Sequence, residues 1–374
     1  MTKLANFVIR HSSFVIHMKL ALVHYTTSPV VGGVERIIEE HAQLLASHGH
    51  EITVQCHARD LGAQDVVLIH NVLTMPFDLP FTQALHHAIA AHPHVRFVAW
   101  THDVAAANPD LAPVPDLIRR PPPNVEFIAI SALRRRQLRD ALGVENCTII
   151  PNGIDPARIL GLPSSIATLA ENEHLLDGRL ILLHPTRLLR RKNIEASIAI
   201  TQALGEATLI ITGAPDPHNP ASREYAQTLR TLAGPETLFA ADHFPVGDPE
   251  LAALYHLADA LIFPSRQEGF GLPLLEARLH RLPTIYSAIE PLTELAAPHA
   301  LPISPDESPR EVAARIQSWL AQNEAHQDRK RALADYAWPT IYQRHIAPLL
   351  QKTSPTQNIL NRTVPTALLR VEKL

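Results

Sequence analysis

The stretch Pro264-Ser265-Arg266-Gln267-Glu268-Gly269-Phe270-Gly271-Leu272-Pro273-Leu274-Leu275-Glu276-Ala277 decides how this chain is read. It follows an apolar run, Asp259 to Phe263, that reads as a buried strand. It leads into an amphipathic run, Leu274 to Leu282, that reads as a helix. The quoted residues are therefore a strand-to-helix turn. Gly269 and Gly271 let the backbone approach a ligand or take positive φ without a Cβ penalty, and Pro273 sits in the first helical turn, where proline is tolerated. Free amides at such a helix start can hold an anion, and ligands of open α/β sheets gather outside the carboxyl ends of the strands. Glu268 and Glu276, one on each side of the turn, then face a single crevice.

Either glutamate alone reads as surface charge. The ordered combination, two acids separated by seven residues around Gly-Phe-Gly at a helix start, is far more specific. Carboxylates only accept hydrogen bonds. With a phosphate on the amides, one acid can receive ribose hydroxyls and the other those of a sugar ring. The motif resembles the signature of family 4 retaining glycosyltransferases, the group 1 glycosyltransferases of the GT-B fold. The resemblance implies an α/β protein of two Rossmann-like, doubly wound domains facing each other across a cleft. It implies that Glu276 grips the ribose of a nucleotide sugar. Glu268 and the amides of Gly269, Phe270, Gly271 and Leu272 would lie near the transferred sugar and its phosphates.

Outward from that turn, the chain repeats the strand, glycine turn and helix. Lys19 to His24 is a strand, and Gly32-Gly33 precedes a helix with Ile37, Ile38, His41, Leu44 and Leu45 on one face. Two glycines without a third at dinucleotide spacing are a weak phosphate signal alone. The family places a Gly-Gly loop opposite the donor phosphates, and Gly32 and Gly33 are its counterparts by resemblance. Strands recur at Glu51 to Cys56, Asp65 to His70, Val95 to Trp100, Val125 to Ile130 and Cys147 to Ile150, alternating with helical stretches, so the sheet is expected to be parallel. Thr101-His102-Asp103 follows one of these strands. His102 matches the family's histidine near the transferred hexose, with Asp103 as the group expected to orient it.

In the second half, Leu180 to Leu183 is a strand followed by His184-Pro185-Thr186-Arg187-Leu188-Leu189-Arg190-Arg191-Lys192-Asn193. A cation pair at a strand's carboxyl end can neutralise a leaving diphosphate from two directions. The family spacing selects Arg187 and Lys192 for that role and leaves Arg190 and Arg191 as surface cations. Gly213, after the strand Ala207 to Thr212, is either the approach point of the nucleotide or a turn glycine.

Domain boundaries follow from composition. Residues 1-17 contain a short tandem, Phe7-Val8-Ile9 and Phe14-Val15-Ile16, and read as an appended segment ahead of Met18. Residues 18-155 form the first, acceptor domain, closed by Pro151-Asn152-Gly153-Ile154-Asp155. Residues 156-337 form the nucleotide-sugar domain, beginning with a less regular stretch, Ala157 to Gly178. Helices are expected at Ser308 to Asn323 and Tyr336 to Leu350, and the family's last helix, here 338-352, returns to the first domain. Residues 353-374 lack amphipathic order and read as a mobile tail.

At 374 residues, with 46% hydrophobic content, the chain is long enough for two full cores. A net charge of −4 gives no case for nucleic acid. Cys56 and Cys147 each fall within an apparent strand and read as two buried thiols, which points to a reducing, cytoplasmic compartment. No run of eighteen apolar residues occurs. The basic run Arg134-Arg135-Arg136, with Arg119-Arg120 near it, reads as a solvated face, an anionic-acceptor site or a peripheral contact with the membrane's inner face. The long proline-rich stretch Ala105 to Asn124 is either an acceptor pocket or a rigid excursion. The 22 histidines form no His-Glu-x-x-His pattern, and no Asp-x-Asp occurs, so no metal and no cofactor beyond the nucleotide donor is expected.

Together these imply metal-independent transfer of a hexose, mannose or glucose, from a nucleotide diphosphate sugar to a hydroxyl on a glycan, lipid or small molecule, with retention. A nucleotide-sugar epimerase or hydrolase, or a non-catalytic carbohydrate-binding protein, are the alternatives on the same fold.

Overall fold

The computed structural model describes residues 17–26, 32–215, 218 and 220–352. The expectations placed on residues 1-16 and 353-374 lie outside the described residues. The chain divides into two compact units, one of residues 1–153 with 338–374 and one of residues 154–337.

The first unit carries six parallel strands: β1 (Lys19–Val23), β2 (Glu51–Gln55), β3 (Val66–His70), β4 (Arg96–Thr101), β5 (Val125–Ala129) and β6 (Cys147–Ile149), in the order β2-β1-β3-β4-β5-β6. β3 is buried at every position, as a central strand covered on both faces must be. β2 is mostly exposed and lies at the sheet edge. It stops at Gln55, so Cys56 is exposed and only Cys147 is part-covered, against the expected pair of buried thiols. The strand order reverses between β1 and β3, and this is the unit's switch point.

The second unit carries β7 (Leu180–His184), β8 (Ala207–Ile211), β9 (Thr237–Phe239), β10 (Ala260–Phe263), β11 (Thr284–Ser287) and β12 (Leu301–Ile303), all parallel, in the order β12-β11-β10-β7-β8-β9. Successive strands run outward from β7 on one side through β8 and on the other from β10. The crevice of this dinucleotide-type sheet therefore opens at the carboxyl ends of β7 and β10. Apolar clusters fill both faces, one around Leu183, Leu254, Leu261 and Phe263 and the other around Leu182, Ile198, Leu209 and Ile262. These are two doubly wound α/β units of the kind expected.

Several elements differ from the sequence reading. β9 and β12 are three residues long, too short to show a period. The stretch 157–178 is not irregular, since it contains the helices Pro156–Ile159 and Ser164–Asn172. A further helix, Glu324–Tyr336, precedes the break at Ala337, after which Trp338–Ile341, a π-turn Tyr342–Ile346 and Ala347–Gln351 follow. These last turns pack Trp338, Ile341, Ile346 and Leu350 with Leu20, Leu22 and Leu68 of the first unit. The Trp338 indole also donates to Glu40 at 2.6 Å. Among the described residues no helix is long and apolar enough to cross a membrane.

Candidate active site

The donor-site residues expected in the second half of the chain fall at the carboxyl ends of three neighbouring strands, β8, β7 and β10, whereas Gly32, Gly33 and His102 lie in the first unit. Arg187 and Lys192 follow β7, Gly213 follows β8, and the turn from Glu268 to Glu276 follows β10.

The centre of this edge is an ion pair. Lys192 Nζ lies 2.5 Å from Glu268 Oε1, with the two side chains 12% and 6% exposed. Ser265 Oγ donates to the same oxygen at 2.6 Å, and Arg191 reaches Glu268 Oε2 at 3.4 Å and the Gln267 carbonyl at 3.1 Å. Lys192 Nζ also stands 4.9 Å from the centre of the Phe263 ring, at the end of β10. Asn193, in the left-handed region at φ 54°, follows it and donates to the carbonyls of Pro264 and Pro305. The β7 and β10 loops are thus tied to each other before any ligand arrives. Ser265, Arg191 and Asn193 were not singled out for the site from sequence. Arg190, by contrast, lies over the Tyr225 ring at 4.9 Å.

Arg187 is exposed on the same loop. Gly213 sits against it: a Cβ there would lie 1.9 Å from the Thr186 carbonyl oxygen and 2.8 Å from Arg187 Cα. Its lack of a side chain is required by the close passage of the Thr186–Arg187 backbone.

Beyond Glu268 the backbone is open. A Cβ on Gly269 would meet nothing within 4 Å. Gly271 takes φ 107° as the residue capping the helix Leu272–Leu279, and a Cβ there would press on Leu292. The amides of Gly269, Phe270, Gly271 and Leu272 donate to no protein acceptor among the described residues. Phe270 and Leu272 are 51% and 60% exposed beside them. Unpartnered amides at a helix start, with a lysine and an exposed arginine on the adjoining loop, suit an anion.

Glu276, one turn into that helix, is half-buried, and its Oε2 accepts from Tyr255 Oη at 2.6 Å. Tyr255 is 2% exposed and its ring stacks on His280, with centroids 4.9 Å apart and planes 3° apart. It is a further neighbour that sequence reasoning missed. The available signal was a tyrosine on the buried face of a helix, because a buried hydroxyl needs a partner.

In the first unit, His102 follows β4 and its Nε2 pairs with His70 Nδ1 at 3.1 Å. Burial pushes the His102 imidazole down to about 4, with Asp103 pulling it back up, so it is neutral near pH 7. The expected orienting role of Asp103 is not what the structure shows. Its carboxylate binds Arg134 at 2.7 Å, and Arg134 also donates to the His102 carbonyl at 2.7 Å. Asn71 instead holds the turn, accepting from the His102 and Asp103 amides at 2.8 and 3.0 Å. Arg134 therefore braces the His102 turn, and Arg135 and Arg136 are not drawn into it. Gly32 caps the helix Gly33–Ser47 in an extended conformation, and Gly33 has open space above it. The carboxylate of Glu35 folds back over Gly32 and accepts from Thr26.

Among the described residues no group of three or more His, Cys, Asp or Glu side chains is placed to hold a metal ion.

The sequence profile of glycosyl transferases group 1 matches residues 167–335. Through its second unit the chain is similar to that family. Among its relatives, the serotype-specific mannosyltransferase WbdA of Escherichia coli is 45% identical over 76 residues, 20% of this chain and 9% of the relative. The mannosylglucosylglycerate synthase of Thermotoga maritima is 26% identical over 220 residues, 51% of this chain and 50% of the relative. The glycogen synthase of Mycobacterium tuberculosis is 28% identical over 297 residues, 75% of this chain and 65% of the relative. The chain spans less than two thirds of the length of each.

Proposed function

We propose that this protein is a retaining, metal-independent glycosyltransferase that moves a hexose, mannose or glucose, from a nucleotide diphosphate sugar to an acceptor hydroxyl. The observation that carries the reading is the meeting of Lys192 and Glu268 at the switch point of the second unit, beside a helix start whose amides have no acceptor among the described residues. The similarity of residues 167–335 to group 1 glycosyl transferases supports the class of reaction, and relatives named mannosyltransferase and glycogen synthase support a hexose.

In this reading the diphosphate rests on the amides from Gly269 to Leu272. Lys192 has three N–H donors and can keep Glu268 while binding a phosphate oxygen. Arg187, exposed and unconstrained by burial, adds the second cation as negative charge develops on the leaving group. The bond from the anomeric carbon to the diphosphate breaks, the acceptor oxygen bonds to that carbon from the same face, and its proton passes to the leaving oxygen. Glu268 receives hexose hydroxyls and Glu276 those of the ribose. His102, neutral, can exchange a hydrogen bond with a sugar hydroxyl.

The test is incubation of the full chain with UDP- and GDP-linked glucose and mannose, with and without candidate acceptors, in the presence of EDTA. Nucleotide release that requires an acceptor, survives EDTA and yields product with the donor's anomeric configuration supports the proposal. Nucleotide release without acceptor indicates a hydrolase, conversion of the donor to an isomeric nucleotide sugar indicates an epimerase, and inversion or strict Mg or Mn dependence overturns the mechanism.

A further inference from the structure

The acid expected to bind the ribose is not free to turn. Glu276 projects from the second turn of the helix Leu272–Leu279, and a glutamate at such a place has three side-chain torsions to fix. One of its oxygens is already engaged by Tyr255 Oη at 2.6 Å, within the range of a charge-assisted O–H···O⁻ bond. Tyr255 is itself immobilised. It lies on the buried face of the helix Asp248–Leu257, and His280, four residues after Glu276 and capping the end of its helix, stacks flat on its ring while meeting His256 edge-on. The phenol and its stacking partner thus approach the helix Leu272–Leu279 at two successive turns, the ring fixing the distance and the hydroxyl fixing the carboxylate. A phenylalanine would fill the same core volume, so the hydroxyl is the part that packing leaves unexplained.

We propose that Tyr255 is a positioning residue for donor binding: its hydroxyl holds Glu276 in one rotamer, leaving the other carboxylate oxygen free for the ribose hydroxyls. This rests on the reading that Glu276 receives the ribose. Burial, together with the Glu276 carboxylate, raises the phenol's pKa, so Tyr255 remains a donor throughout the physiological range. Oε1 keeps two lone pairs, enough for two vicinal hydroxyls. Because the rotamer is fixed before the nucleotide arrives, its ordering does not have to be supplied by binding. The ribose is remote from the bond that breaks, so the contribution falls on affinity rather than on turnover.

The experiment is calorimetric titration of the full chain with UDP and GDP and with their 2′-deoxy and 3′-deoxy forms. The proteins are the wild type, Tyr255→Phe, Glu276→Gln and the double variant, with melting temperatures taken alongside. The expected result is that Tyr255→Phe weakens the preferred ribonucleotide about 10-fold, the order of one freed side chain. It leaves the weakened deoxy form unchanged, and it adds nothing to Glu276→Gln in the double variant. In steady-state assays KM for the donor rises by a similar factor with kcat nearly unchanged. The proposal is overturned if Tyr255→Phe weakens ribose and deoxyribose nucleotides alike, if its effect adds in full to Glu276→Gln, or if affinity does not change. In those cases, provided Glu276→Gln loses the ribose preference, the ribose role of Glu276 stands and only the role of Tyr255 falls. If the wild type shows no ribose preference, or Glu276→Gln keeps it, the ribose role of Glu276 fails and the proposal fails with it.

Discussion

Lys192 Nζ and Glu268 Oε1 stand 2.5 Å apart, and both side chains are nearly covered. The cation assigned to the diphosphate and the acid assigned to the hexose are therefore one buried pair in the ligand-free protein. Removing one member of such a pair strands the other's charge. Lys192→Met is expected to lower kcat about 100-fold or more, as loss of a preorganised charge stabiliser does. It is also expected to lower the melting temperature, because among the described residues Glu268 then keeps Ser265 and the more distant Arg191. Adding Glu268→Gln should restore much of the melting temperature and none of the activity. Recovery of both would show that the pair is structural.

Arg187 supplies the contrast. It is exposed, on a loop whose shape is set by backbone contacts, so its guanidinium adds little to folding. Arg187→Ala should leave the thermal transition within about a degree, since surface changes are usually within roughly 0.5 kcal/mol. Its kcat should fall about 100-fold at saturating donor. A variant with unchanged kcat would remove Arg187 from the mechanism.

Three glycines at this edge are expected to respond differently to alanine. At Gly213 the new Cβ meets the Thr186 carbonyl, a backbone atom, and Gly213→Ala should destabilise the second unit by about 2 kcal/mol or more and displace the Arg187 loop. At Gly271, φ of 107° and contact with Leu292 give a similar loss. At Gly269 the space is open and φ is not in the left-handed region, so Gly269→Ala should unfold like the wild type. Its affinity for a nucleoside diphosphate should nevertheless fall, because the methyl group occupies the space over the free amides. Equal melting temperatures and equal nucleotide affinity for Gly269→Ala would contradict an anion at that position.

Much of this site was legible because it is written in backbone chemistry. Gly271 must be glycine to take its conformation, Pro273 fits a first turn, and acids at fixed offsets from a strand end land on one edge of a parallel sheet. What stayed hidden were partnerships between side chains on separate elements. Arg134 looked like one of three solvated arginines until Asp103 and the His102 carbonyl were seen to claim it. Asn71 carried no motif, and Arg191 resembled Arg190 in sequence although only Arg191 reaches Glu268. The short strands β9 and β12 were lost for another reason: three residues, one of them Pro302 in β12, hold too little pattern for a period.

The first unit's buried histidines give it a pH limit. Burial pushes His41 down to about 3, with His102 adding to the shift, and His70 well below its usual value for the same reason. His102 falls to about 4. In the unfolded chain each would titrate near 6.5. The unfolded state therefore binds more protons than the folded one between about pH 6.5 and pH 4, and in that window stability rises with pH. Stability from these residues is complete above about pH 6.5 and is lost as pH falls through the folded-state values. His41 lies edge-on to Trp100 and Trp338, and neither ring nitrogen has a partner among the described residues. His41→Phe should keep those contacts and remove one proton from the balance. The slope of unfolding free energy against pH below about pH 6 should then drop by about 1.4 kcal/mol per pH unit, as measured by urea titrations at a series of pH values. An unchanged slope would mean that His41 does not remain neutral in the folded protein.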